Sequence, residues 1–207
     1  MILPEHHSGK VCRLVYREHG GFRPLGSAFI VVANKKSWLI TNSHVLLKAN
    51  GDFENIYYSP NGQKMVFPTT LVRDDVSCDL AVFSIHTDIE VDDIIKDAPN
   101  IGEQIITIGF PDVLLDSEMA RVSEGVVLKT IFGVCTLDGF FVTEDPKAYP
   151  CFIASGLDPT SGSSGSPVYS ATGEIVGVSK GFCDDKNALC FSGKNIIETL
   201  RQLCRQS

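Results

Sequence analysis

The chain has 207 residues, 43% of them hydrophobic and 21% charged, the balance of a globular protein with enough length to bury a substantial core. Its formal net charge of -7, with Lys and Arg scattered singly, leaves no basic stripe to neutralise a phosphate backbone, so nucleic acid is not an expected partner. No segment approaches the roughly 18 continuous apolar residues that span a bilayer. Met1 to His7 has neither the basic nor the apolar region of a signal peptide, so the expected address is cytoplasmic and no membrane is called for.

In chain order, short β-rich runs alternate with turn residues. Val11 to Tyr16, Ser27 to Val32, Ser37 to Thr41, Lys64 to Val72 and Leu80 to Ile85 read as strands. A polar, acidic stretch from Asp88 to Asn100 then serves as a linker. Beyond it, Gln104 to Ile108, Glu124 to Val127, Gly139 to Thr143, Phe152 to Ser155, Pro167 to Tyr169 and Glu174 to Val178 read as strands again. Many short strands at this spacing predict a sandwich or barrels. Only the end changes period: Ile196, Ile197, Leu200, Leu203 and Cys204 recur at helical spacing, with Ser192 or Asn195 as the cap. The linker divides the chain into residues 1–95 and 96–207. Seven cysteines without a C-x-x-C pair argue against a disulfide framework and a zinc site. Most are expected to be buried thiols, with Cys183 and Cys190 able to bridge if oxidised.

Three places carry chemistry. His44 follows the apolar strand Trp38-Leu39-Ile40 and a polar turn, although a lone histidine is more often structural. Asp79 directly precedes the apolar run Leu80 to Phe83, where it is either a turn residue or a partly buried carboxylate in need of a partner such as histidine. Gly162-Ser163-Ser164-Gly165-Ser166-Pro167 has almost nothing to bury. A serine nucleophile needs an exposed hydroxyl, a neighbouring base and two N–H donors aimed at the developing oxyanion, and a glycine two positions ahead permits that backbone.

"SAFIV", "LITNSHV", "CDLAVFSI", "IGEQIITIGFP", "EGVV" and "GSSGSPVYSATGEIVGVSKG" resemble, in this order, the trypsin-like serine proteases of chymotrypsin fold, and are most similar to the HtrA/DegP-like branch; the resemblance covers Gly26 to Leu203. It implies an all-β fold of two six-stranded antiparallel β-barrels with a C-terminal α-helix. It also implies a serine endopeptidase with a Ser164-His44-Asp79 triad, and an oxyanion hole formed by the N–H groups of Gly162 and Ser164. No metal or organic cofactor is called for. The expected partners are a protein or peptide substrate, paired along Ser179, Lys180 and Gly181, and an activating protein.

Departures from the family pattern sharpen these expectations. Ser163 stands where digestive enzymes carry the aspartate that pairs with a freshly cut N-terminus, so activation by that cleavage is not expected. The loops Phe110 to Ala120 and Gly181 to Leu189 are candidates for control by ordering. Asp158 lies six residues before Ser164, the offset at which trypsin places its selector for Lys and Arg; as a turn residue before Pro159 it has a simpler explanation. No peptide-binding module follows the protease region, which points to a stand-alone or trimmed protease. Two other readings stay open: a viral polyprotein-processing protease, and a catalytically silent protease-like binding module.

Overall fold

The computed structural model describes residues 9–60, 64–89, 92–110, 120–136, 139–158, 162–184 and 186–206. The first sheet holds β1 (Val11–Glu18), β2 (Gly21–Ala33), β3 (Lys36–Thr41), β4 (Ile56–Pro60), β5 (Phe67–Pro68), β6 (Thr70–Asp75) and β7 (Leu80–Ser84), in the order β5-β4-β1-β2-β3-β7-β6. The β2–β3 turn, Asn34 and Lys35, has φ of 53° and 60°, the paired left-handed conformation that matches the twist of a two-residue hairpin. Thr69 alone separates β5 from β6, so covalent continuity brings the two edges of the curled sheet together.

The second sheet holds β8 (Gln104–Gly109), β9 (Arg121–Thr136), β10 (Gly139–Thr143), β11 (Tyr149–Ser155), β12 (Pro167–Ser170), β13 (Ile175–Phe182) and β14 (Asn187–Ser192). Pairing of β8 with both β9 and β12 closes six strands into a ring, β8-β9-β11-β14-β13-β12. The seventh, β10, continues β9 outward as a hairpin. The chymotrypsin-like fold is thus present, its first body a curled seven-stranded sheet and its second a six-stranded ring extended by β10. β4 and β14 were not among the predicted strands, and the single predicted run Lys64 to Val72 falls across β5 and β6.

Alternation along β2 explains how one strand serves two cores. Ala28, Ile30 and Val32 fill the first barrel with Leu39 and Phe83, whereas Phe29 and Val31 face a second cluster with Ile108, Tyr169, Val178 and Phe191 from the other sheet. A strand buried on both faces reads as a continuous apolar run. The helix Gly193–Gln206 buries Ile196 and Leu200 against this shared cluster. It starts at Gly193, and Asn195 donates its amide to Pro150 O (2.9 Å). No helix among the described residues is long and apolar enough to cross a membrane. All seven cysteines are free, with Cys183 exposed and Cys190 buried.

The segment between the sheets is docked on both. Lys10 and Asp93 form an ion pair at 2.7 Å, each side chain 6% exposed, and Asp93 also accepts the Val32 N–H at 2.8 Å. Removing one partner strands the other charge in the interior. Lys10→Met is therefore expected to cost about 3 kcal/mol, read as a lower urea midpoint with an unchanged denaturant slope.

Candidate active site

His44 sits on the single helical turn α1 (Ser43–Leu46), reached from β3 through Asn42. Burial of Ser43, Val45 and Leu46 leaves His44 as the residue of this turn that faces outward, its side chain 34% exposed. Asp79 ends the 3-10 turn Val76–Cys78 in a left-handed conformation (φ 49°), a backbone state that aspartate tolerates better than most residues. Asn42 Nδ2 holds its carbonyl at 3.0 Å.

The Asp79 carboxylate is 2% exposed and holds His44 at ring and backbone: Nδ1 lies 2.8 Å from Oδ2 and 3.0 Å from Oδ1, and Oδ1 also accepts the His44 backbone N–H at 2.9 Å. An ionised carboxylate only accepts, so Nδ1 carries the proton and Nε2 keeps its lone pair. Burial pushes Asp79 upward. The hydrogen bond and charge of His44, joined by those of Lys180, more than offset it and hold the carboxyl below the usual range.

Ser164 belongs to the loop preceding β12, and the first sheet fixes that loop from outside. The Ser27 N–H donates to Ser164 O (2.9 Å), while Ser27 Oγ donates to Gly162 O (2.7 Å) and accepts the Phe110 N–H (2.8 Å). Thr41 Oγ1 in turn donates to Ser27 O at 2.7 Å. The loop also meets β13, through Gly165 N–H to Ser179 O and Ser179 N–H to Ser166 O, both 2.9 Å. Gly26 touches both halves of the site: a Cβ there would lie 3.1 Å from Val45 and 3.2 Å from Ser164 O. Among the described residues, the N–H groups of Gly162 and Ser164 have no protein acceptor.

The hydroxyl of Ser164 donates to Lys180 O at 2.8 Å and forms no hydrogen bond with His44. Lys180 Nζ lies 2.8 Å from Asp79 Oδ2, so this one residue touches both the serine and the carboxylate. A cavity of about 280 Å³, lined by His44, Asp79, Cys135, Thr136, Gly139 and Lys180, opens beside them. A larger hollow of about 620 Å³ near Trp38, His86 and Leu203 contains none of the predicted site residues.

The other predicted residues fall out differently. Asp158 is ion-paired with Arg121 at 2.8 Å, so it is not the unpaired acid that selection of a basic side chain requires. Ser179 has both main-chain groups committed to Gly165 and Ser166, Lys180 O takes the Ser164 hydroxyl, and Gly181 is buried opposite Leu189 of β14. A Cβ on Gly181 (φ 129°) would meet only Ser164 Oγ, at 3.6 Å. Pro111 to Met119, most of the first loop considered for control, lies outside the described residues. Sequence reasoning missed Ser27, Thr41 and the Lys180 ammonium. The signal for Ser27 was a hydroxyl at the head of a buried apolar run, where it must find polar partners.

The profile of the trypsin-like peptidase domain matches residues 26–178. The chain belongs to the trypsin-like peptidase family, and with it to the serine endopeptidases. No curated protein matches this trypsin-like peptidase by sequence. Among solved structures it resembles the active form of the Rv3671c protease from M. tuberculosis (TM-score 0.71, 16% identity, covering 95% of this chain and 81% of that one). It also resembles the HtrA-type protease AlgW with tripeptide (0.69, 20%, 95% and 60%) and the serine endoprotease from Yersinia pestis (0.70, 22%, 96% and 64%). The trypsin-like peptidase spans less than two thirds of these last two chains, and the likeness at such identities is one of fold.

Proposed function

We propose that this trypsin-like peptidase is an HtrA-like enzyme that hydrolyses peptide bonds through an acyl-enzyme on Ser164, with His44 as general base and acid and Asp79 as the carboxylate that orients it. The observation that carries the reading is the doubly held His44, whose Nε2 is left as a free base by the bond from Nδ1 to Asp79.

The reaction starts when the Ser164 hydroxyl turns from Lys180 O to His44 Nε2. The oxygen attacks the scissile carbonyl carbon, its proton passes to Nε2, and the carbonyl oxygen becomes an anion facing the N–H groups of Gly162 and Ser164. Such a donor is worth roughly 3 kcal/mol in the transition state. Collapse expels the amine, which takes the proton from Nε2, and water repeats the sequence on the ester. The substrate is a protein or peptide segment, extended along the main chain of Lys180 and Gly181. An activating protein would act by favouring the turned hydroxyl. The half 1–95 supplies His44 and Asp79, and the half 96–207 supplies Ser164.

Treatment with a fluorophosphonate tests this. The expected result is one phosphonyl group per chain, located on Ser164 by peptide mass, with hydrolysis of an unfolded protein substrate lost in step with labelling. A label on another residue, or hydrolysis that survives complete labelling, would refute the assignment.

A further inference from the structure

We propose that the ammonium of Lys180 is a positioning residue for the reaction: it shares Asp79 Oδ2 with His44 Nδ1 and so sets how readily the imidazole takes a second proton. The inference rests on the reading of His44 as the base. Both contacts to Oδ2 measure 2.8 Å, and the carboxylate they share is almost wholly out of water, so neither is screened as a surface pair would be.

Asp79 has a charge to balance while His44 is neutral. A buried carboxylate facing only a neutral ring is costly, and Lys180, itself 20% exposed, offsets it. During the reaction the balance reverses. The imidazolium formed by proton transfer shares the Asp79 carboxylate with a cation already on Oδ2, and like charges at this range oppose each other. Lys180 therefore steadies the carboxylate before proton transfer and opposes the imidazolium that transfer creates.

The surroundings leave this role to Lys180. On β6, Arg73 pairs with Asp75 at 3.0 Å. Burial pushes the Asp74 carboxyl up, with its bond to Ser43 opposing. Burial likewise raises the thiols of Cys78, on the turn before Asp79, and of Cys135, on β9 beside Lys180, so both stay neutral through the working range. Among the described residues Lys180 is the only lysine or arginine in contact with Asp79.

The test compares Lys180→Met and Lys180→Gln with Lys180→Arg, each in the otherwise unchanged chain and again with Ser164→Ala. Two quantities are read against pH: kcat/KM for a peptide substrate, and, in the Ser164→Ala series, the low-field NMR resonance of the His44 Nδ1 proton, assigned by its loss in His44→Gln. Removing the cation is expected to move the acid limb of kcat/KM, and the pH at which the resonance changes, upward by about one pH unit. Lys180→Arg is expected to hold both near their original positions. A resonance that changes at the same pH in folded Lys180→Met and Lys180→Gln overturns the inference. So does a Lys180→Arg profile displaced as far as theirs, because loss of packing rather than of charge would then explain the effect. If no variant hydrolyses peptide yet the resonance shifts as described, the electrostatic role of Lys180 stands and the enzymatic reading of the site falls.

Discussion

Ser164→Ala is expected to lower kcat by about a millionfold, His44→Ala by a similar factor, and the double variant by no more than either alone. In the proposed mechanism the oxygen and its base act as one unit: without Nε2 the hydroxyl keeps its proton, and without the hydroxyl the free base has nothing to activate. Stability should barely move, because Ser164 Oγ makes one hydrogen bond, to Lys180 O, worth roughly 1 kcal/mol. Single-turnover hydrolysis of a fluorogenic peptide, with melting curves for each variant, checks both parts. Losses that multiply in the double variant would mean that the two residues serve separate steps, contrary to the mechanism.

Gly165→Ala should damage fold and chemistry together. Gly165 has φ of 86°, and a Cβ there would be driven into Ser27 O and Thr41 Oγ1. Left-handed backbone costs alanine about 1–2 kcal/mol, and displacing packed neighbours adds a similar amount. A destabilisation of about 3 kcal/mol follows. Ser27 cannot retreat alone, since its other groups hold Gly162 O and Ser164 O. The nucleophile loop shifts with it, and a displacement near 1 Å is enough for a loss of about a hundredfold in kcat/KM. Gly51→Ala supplies the control: its φ is 83° but its Cβ would meet nothing within 4 Å, so it should lose stability while keeping activity. Equal activity losses in the two variants would show that backbone strain alone, not the Ser27 contact, matters at Gly165.

Legibility in the sequence followed burial. β2, β3, β7 and β8 could be read because their apolar runs are buried, as the fold requires. β9 was seen only over Glu124 to Val127, yet it runs for 16 residues; its exposed face carries Val122, Val126, Leu128 and Phe132 while Ser123, Gly125 and Gly133 point inward, so residue type does not follow burial. β4 is five residues ending in Ser59-Pro60, too short and polar to stand out, and the first half of β14 falls within Gly181 to Leu189, the run expected to be a loop. The positions of His44, Asp79 and Ser164 were marked by local sequence, because His44 and Asp79 adjoin the apolar strands β3 and β7 and Ser164 stands in a run of small polar residues just before β12. The Lys180–Asp79 contact joins residues 101 apart along the chain and has no local trace. The pairing of Asp158 with Arg121, 37 residues apart, was hidden for the same reason.

The docked segment after β7 also governs how the two barrels can move. Asp93 is tied to Lys10 and Val32 on one side, while Ile94 O and the Lys96 N–H bond Ile175 and Asp97 O takes the Lys194 N–H on the other, all at 2.7 to 3.0 Å. A connector bonded to both bodies between Asp93 and Asp97 is a seam rather than a hinge. Catalytic turnover then has no wide opening and closing of the halves to wait for, and a protease cut within this seam would leave two fragments still clasped and still melting as one.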